Sequence, residues 1–216
     1  MKLYKFRPLA TQEDFNRAKN ILETGCFWCS KFSELNDPME GAFHSAEIKI
    51  VNETFAGKNC RKICSFSGGT AFKDPILWGY YANGFRGIAI EVECDEKEVE
   101  KINYKKYINK LKNTNINNNV KKVLTTKLES WELEEEYRFL IESVNHFHKI
   151  GEIKNIYFGD PYYSALNKNK IYEQSDILKK YKKYKNDLIK LTQNMNVGCH
   201  NVTIYGTKVK IDTNYL

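Results

Sequence analysis

The stretch Ser130-Trp131-Glu132-Leu133-Glu134-Glu135-Glu136-Tyr137-Arg138-Phe139-Leu140-Ile141 decides how the chain is read. If a strand begins near Glu134, its side chains alternate between faces, so Tyr137, Phe139 and Ile141 share one and Glu134, Glu136 and Arg138 the other. The apolar set predicts the core face. The charged set is expected to look into water or a cleft, with the neighbouring guanidinium keeping both acids ionised at neutral pH. An ordinary solvated face with a weak cross-strand ion pair has the same pattern.

Upstream, Lys2 to Arg7 reads as a strand stopped by Pro8, which cannot donate to a sheet. A helix follows, with Thr11 and Asp14 spaced as a capping box, Phe15, Ala18 and Leu22 at helical intervals, and Gly25 placed to end it. Cys26 to Ser30 suggests a second strand, and Asn36-Asp37-Pro38 a turn. Segment 44–60 is polar and carries no clear period. Arg61 to Ser67 is strand-like, and Asp74-Pro75 opens a short helix through Trp78 and Tyr81 closed by Gly84. In Phe85 to Glu93, Ile88, Ile90 and Val92 alternate with Ala89, Glu91 and Glu93, which predicts a half-buried strand.

Between Lys97 and Lys122 eight lysines stand against two acids around an Asn-rich patch, Asn113 to Asn119, and an exposed insertion is expected. A second tract, Lys168 to Lys190, has eight lysines and three acids. There Ile177, Tyr181, Tyr184, Leu188, Leu191 and Met195 recur at helical spacing, predicting a basic amphipathic helix near 175–196. Val202, Ile204, Val209 and Ile211 suggest a closing hairpin about Gly206.

These elements predict one α+β domain over residues 1–216, with curved, mainly antiparallel sheets and peripheral helices. At 216 residues and 25.3 kDa, with 42% hydrophobic and 28% charged residues, the chain can bury its own core. No apolar run reaches the roughly 18 residues of a membrane helix, and Met1 to Phe15 turns polar before a signal-peptide core forms, so a cytoplasmic protein is expected. The net charge of +7 favours anionic partners. Six cysteines read as free thiols. A zinc site from Cys26, Cys29, Cys60 and Cys64 is the sharper alternative, disfavoured by Phe27 and Trp28 in the first gap. His44, His146, His148 and His200 lack zincin spacing, and no phosphate-cradling loop, dinucleotide fingerprint or nucleophile elbow occurs.

Five short motifs occur in order: Leu3-Tyr4-Lys5-Phe6-Arg7; Ser30 to Phe32 running into Asn36-Asp37-Pro38-Met39-Glu40; Cys64-Ser65-Phe66-Ser67; Leu77-Trp78-Gly79-Tyr80-Tyr81-Ala82 with Gly87; and Trp131 with Glu134-x-Glu136-Tyr137-Arg138. Together they resemble a widespread prokaryotic family of unknown function, which itself resembles, more distantly, the mono-ADP-ribosyltransferases. The resemblance implies an ADP-ribosyltransferase-like fold and NAD+ as substrate, with no metal. Lys5 and Arg7 would hold the adenosine end, Ser65, Ser67, Trp78 and Tyr81 would frame the nicotinamide, and Arg138 would accompany them. Glu136 would meet the reacting ribose, with Glu134 beside it. An NAD+-dependent transferase or NAD+ glycohydrolase follows, in the role of an effector or toxin of an antiviral defence or conflict system that modifies a macromolecule, nucleic acid or protein. Such a role leaves room for an antitoxin or immunity partner and requires no membrane. The alternative is a non-catalytic nucleic-acid-binding or regulatory module that keeps the fold, resting on the net charge and the two lysine-rich tracts.

Overall fold

A computed structural model describes residues 1–37, 39–112, 114–160 and 175–215. Pro38 of the anticipated turn, Asn113 of the Asn-rich patch and the 168–174 part of the second basic tract lie outside the described residues.

The strands are, in chain order, β1 (Lys2–Pro8), β2 (Cys26–Trp28), β3 (Phe43–His44), β4 (Arg61–Ser67), β5 (Gly87–Glu93), β6 (Glu100–Lys101), β7 (Asn103–Lys105), β8 (Asn109–Lys110), β9 (Thr126–Leu128), β10 (Glu136–Glu142), β11 (Phe147–Lys149), β12 (Glu152–Gly159), β13 (Gly198–Tyr205) and β14 (Lys208–Tyr215). The helices are α1 (Gln12–Thr24), α2 (Ile48–Asn59), α3 (Gly69–Phe72), α4 (Pro75–Tyr81), α5 (Ile116–Leu124) and α6 (Asp176–Thr192). The class is α+β, and strand pairing is mixed but mostly antiparallel. Two compact units emerge. The first comprises Met1–Cys26, Ser67–Cys94 and Lys149–Leu216, the second Phe27–Phe66 and Asp95–His148.

In the first unit the strand order is β14-β13-β12-β5-β1, antiparallel except for the parallel pair β12 and β13. Thr11 and Asp14 cap α1 reciprocally, and Gly25 ends it in the left-handed region at φ 69°. Asp74 caps α4 through the Ile76 N–H, with Pro75 in the first turn. Ser175 caps α6, whose Leu178, Tyr181, Tyr184 and Leu188 are buried. The helix stops at Thr192, short of Met195, and Ile177 is exposed. The hairpin of β13 and β14 turns about Gly206 as expected.

Strand β5 departs from expectation. It is buried on both faces, Glu91 included, because β1 and β12 flank it and Glu91 finds internal partners. Trp78 anchors this unit's core: it is fully buried, stacks on Phe85 at 5.3 Å, meets Phe6 edge-on, and donates its indole N–H to the Phe72 carbonyl at 2.8 Å.

In the second unit β4, β10 and β6 run side by side, and the short parallel pairs β3–β8 and β7–β9 lie outside that set. The polar segment 44–60 folds as α2. Its Lys58 is buried with Nζ 3.0 Å from the Gly41 carbonyl and 4.0 Å from the centre of the Phe32 ring, and burial lowers its pKa. The 97–122 tract is not an exposed insertion. It supplies β6, β7, β8 and α5, because Val120, Val123 and Leu124 form an apolar stripe that packs with Ile50, Ile63 and Leu111 while the lysines stay outside. The Asn run starts that helix: the Asn115 side chain accepts from the Asn118 N–H at 3.1 Å.

Gly87 sits opposite Pro8 where β5 meets β1, and a Cβ there would lie 2.4 Å from the Arg7 carbonyl oxygen and 2.8 Å from Ala82 backbone atoms. Both obstacles are main chain and cannot swing aside. Gly87→Ala is therefore expected to cost about 3 kcal/mol or more, read as a fall in the urea unfolding midpoint; an unchanged midpoint would show that β1 and β5 are less closely held.

Candidate functional site

The charged face of the opening stretch is buried, which corrects the sequence reading. Glu129–Glu134 forms a 3-10 turn, Glu135 takes a left-handed conformation at φ 42°, and β10 begins only at Glu136. Glu134 is thus not on the strand. Arg138 is 1% exposed, Glu136 4% and Glu134 6%; Phe139 is also buried, while Tyr137 and Ile141 are only partly so. The reason is that these charges meet one another in the interior.

Arg138 is at the centre. Its Nη1 and Nη2 donate to the two Glu40 carboxylate oxygens at 2.5 and 2.9 Å, a bidentate pair. Its Nε and Nη2 donate to the two Glu136 oxygens at 2.7 and 3.0 Å, and Nη1 also reaches the Leu124 carbonyl at 2.8 Å. Lys127, on β9, donates to Glu134 at 2.6 Å and Glu136 at 3.2 Å, and its ammonium lies 4.6 Å from the centre of the Trp131 ring. Tyr104, on β7, accepts the Glu136 backbone N–H at 2.7 Å.

Burial alone would raise the Glu136 pKa, but Arg138, Lys127 and Ser65 outweigh it and hold the carboxyl down at about 2. Burial likewise opposes the Lys127 and Arg138 cations, and the carboxylates nonetheless raise both their pKa values. Burial, opposed by the Glu136 N–H and reinforced by the Glu136 and Glu134 charges, pushes the Tyr104 phenol up, so it stays neutral. Among the described residues, these ion pairs join three carboxyls, Glu40, Glu134 and Glu136, to two cationic side chains, Arg138 and Lys127, a formal excess of one negative charge.

Of the residues singled out from the sequence, Ser65, Glu134, Glu136 and Arg138 belong to the second unit and come together in it. Lys5, Arg7, Ser67, Trp78 and Tyr81 belong to the first unit: Lys5 and Arg7 are half-buried on β1, Ser67 is in register with Tyr4, and Trp78 is core. Glu40 stood in a quoted motif without a role, and Lys127 and Tyr104 were missed. Two acids beside one Arg on a buried face require further counter-charge, which is the signal that points to a lysine such as Lys127. Cys29 and Cys64 are buried and Cys60 is exposed, and among the described residues no three His, Cys, Asp or Glu side chains are grouped to hold a metal ion.

The first unit has a buried carboxylate of its own. Glu91, 1% exposed, accepts from Tyr157 at 2.8 Å, Asn155 at 2.9 Å, Lys2 at 2.9 Å and Tyr4 at 3.2 Å. Burial works against its charge, but Lys2, Tyr157 and Asn155 lower its pKa overall. His200 stacks on Tyr157 and bonds Asn155 at 3.1 Å; burial lowers its pKa against the pull of Glu91.

No family model, curated protein or solved structure matches the chain. Among the described residues no helix is long and apolar enough to cross a membrane.

Because the Glu136 pKa is lower folded than unfolded, its contribution to stability is present above about pH 4.5 and is lost as pH falls from there toward about 2. Unfolding midpoints followed through that window are expected to drop for the wild type and to drop less for Glu136→Gln. Arg138→Met, which leaves Glu40 and Glu136 without their guanidinium, is expected to cost about 3 to 5 kcal/mol at neutral pH. Equal acid sensitivity of wild type and Glu136→Gln would refute the linkage.

Proposed function

We propose that this chain is an ADP-ribosyltransferase-like enzyme that cleaves NAD+ at the nicotinamide–ribose bond and acts on a macromolecule, with Glu136 as the carboxylate that meets the ribose. The observation that carries the reading is the meeting of Ser65, on β4, and Glu136, on the adjacent β10, in a buried cluster with negative charge in excess. The five ordered motifs and the family they resemble supply the rest of the argument.

The chemistry suits such a site. The C1′–N bond breaks with its electron pair leaving on nicotinamide, a neutral molecule that needs no strong acid. Positive charge develops on the ribose, as in glycoside cleavage, and a fixed carboxylate at the 2′-hydroxyl stabilises it. Glu136 already accepts from protein donors, so a ribose hydroxyl has to take the place of one. Lys127 is the donor with an alternative, since it is closer to Glu134 than to Glu136. Glu134 would then orient the acceptor and take its proton as it attacks C1′. Lys5 and Arg7 are proposed for the adenosine end and Ser67, Trp78 and Tyr81 for the nicotinamide on the resemblance alone. The cellular role as a defence effector or toxin, with a protein or nucleic acid as its target, is proposed on the same ground.

The engagement of both Glu136 oxygens by Arg138 and Lys127 favours a second reading, in which the cluster only holds the fold and the molecule binds nucleic acid without chemistry.

Nicotinamide release from NAD+, assayed with single-stranded nucleic acid or cell protein as acceptor, separates the two. Release is expected from the wild type and is expected to fall on the order of 10² to 10³-fold in Glu136→Gln, compared at equal folded protein. Absence of both NAD+ binding by calorimetry and nicotinamide release with any acceptor would remove the enzymatic reading.

A further inference from the structure

The second unit carries an open groove of about 530 Å³ where β7, the bend at 106–108, β8 and α5 meet. Its walls include Tyr104, Lys105, Lys106, Tyr107, Lys110 and Lys122, and the single acid among its lining residues is Glu129. Lys106, Lys110 and Lys122 are exposed, and Lys105 reaches the Asn109 side chain at 3.4 Å rather than a carboxylate. Four cations thus share one depression with one acid among its lining residues. Their mutual repulsion costs free energy in the unbound protein and is relieved when an anion enters.

Beside them Tyr107 is 79% exposed, its ring presented to solvent next to the lysines. A ring that packs against no core and stands among ammonium groups suits a ligand with both a charged backbone and a planar face. An acidic peptide or a sulfated sugar offers charge without such a face. A base in a duplex has its face covered by stacking, and a depression the size of a small-molecule pocket cannot admit a double helix. Single-stranded nucleic acid meets both demands, with phosphates to neutralise and bases to stack.

We propose that this groove binds single-stranded nucleic acid, with phosphates on Lys105, Lys106, Lys110 and Lys122 and a base stacked on Tyr107. Tyr104 connects the groove to the carboxylate cluster: it lines the groove and accepts the Glu136 backbone N–H. A strand seated there therefore lies one side chain away from the Glu136 main chain. Its role as the acceptor rests on the enzymatic reading above, whereas its binding does not.

Fluorescence anisotropy with labelled single-stranded RNA and DNA of about a dozen nucleotides, titrated with salt, tests the groove. The two arms identify the preferred sugar, and a duplex arm serves as the comparison. Each phosphate contact adds about 0.7 to the slope of log affinity against log salt for a single strand, so Lys106→Ala with Lys110→Ala is expected to reduce the slope by about 1.4. Tyr107→Ala is expected to weaken binding about tenfold with the slope unchanged. These side chains are exposed, so unfolding midpoints should stay at the wild-type value. An unaltered slope in the double variant, or a polyglutamate or heparin competitor as effective as the oligonucleotide with no effect of Tyr107→Ala, would overturn the proposal. Binding without nicotinamide release keeps the groove and removes the enzyme; release without binding does the reverse.

Discussion

The Arg138 guanidinium is the constraint around which the second unit is arranged. A buried cation is tolerated only when its donors are satisfied and its charge is balanced, and Arg138 meets both conditions through Glu40, Glu136 and the Leu124 carbonyl. Glu40 lies 98 residues away in sequence. Two carboxylates on one guanidinium leave the second needing further compensation, which Lys127 supplies, and Lys127 in turn holds Glu134. One buried charge thus fixes the relation between the segment ending at Glu40, the end of α5, β9, the 3-10 turn and β10. Replacing such a cluster with apolar groups need not weaken a fold, so its energetic worth is a poor reason for its presence.

Local elements were legible because their determinants are local. The Thr11–Asp14 box, Gly25, the Asp74-Pro75 start and the stripe of Tyr181, Tyr184 and Leu188 each need only a few neighbouring residues to be recognised. The misreadings of the polar strand positions share one cause. Alternation places Glu91 opposite the apolar face and Glu136 and Arg138 toward water or a cleft, yet all three are interior, with Glu91 bonded to Asn155 and Arg138 to Glu40 from distant segments. No short window of sequence contains Glu40 or the partners of Glu91, although Lys127 lies only nine residues before Glu136. Tract 97–122 misled in the opposite sense, since its lysines concealed the start of an apolar spacing, Val120, that continues past it at Val123 and Leu124.

The candidate site was half legible for the same reason. Alternation along the strand identifies Glu136 and Arg138, and Ser65 came from a motif on its neighbour. Lys127 could be recognised as a member only by asking what neutralises two buried acids, and Glu40 only by asking what accepts from the remaining guanidinium donors. The basic surplus behaves differently: lysines at the groove and acids at the cluster occupy the same unit, joined by the Tyr104 phenol. Net charge alone therefore concealed a local contrast, a positive surface beside a negative interior.

The two units are discontinuous, the chain passing from one to the other at 26/27, 66/67, 94/95 and 148/149. Strand β1 pairs along its length with β5, some eighty residues later, and β12 and β13 follow only beyond residue 150. On the ribosome, the buried residues of the first strand, Leu3 and Phe6, therefore emerge long before the strand that pairs with it. A topology so dominated by distant pairing folds slowly and leaves unpaired edges exposed while synthesis continues. Neither unit corresponds to a continuous piece of chain, so a ribosome stalled at mid-length holds neither of them complete.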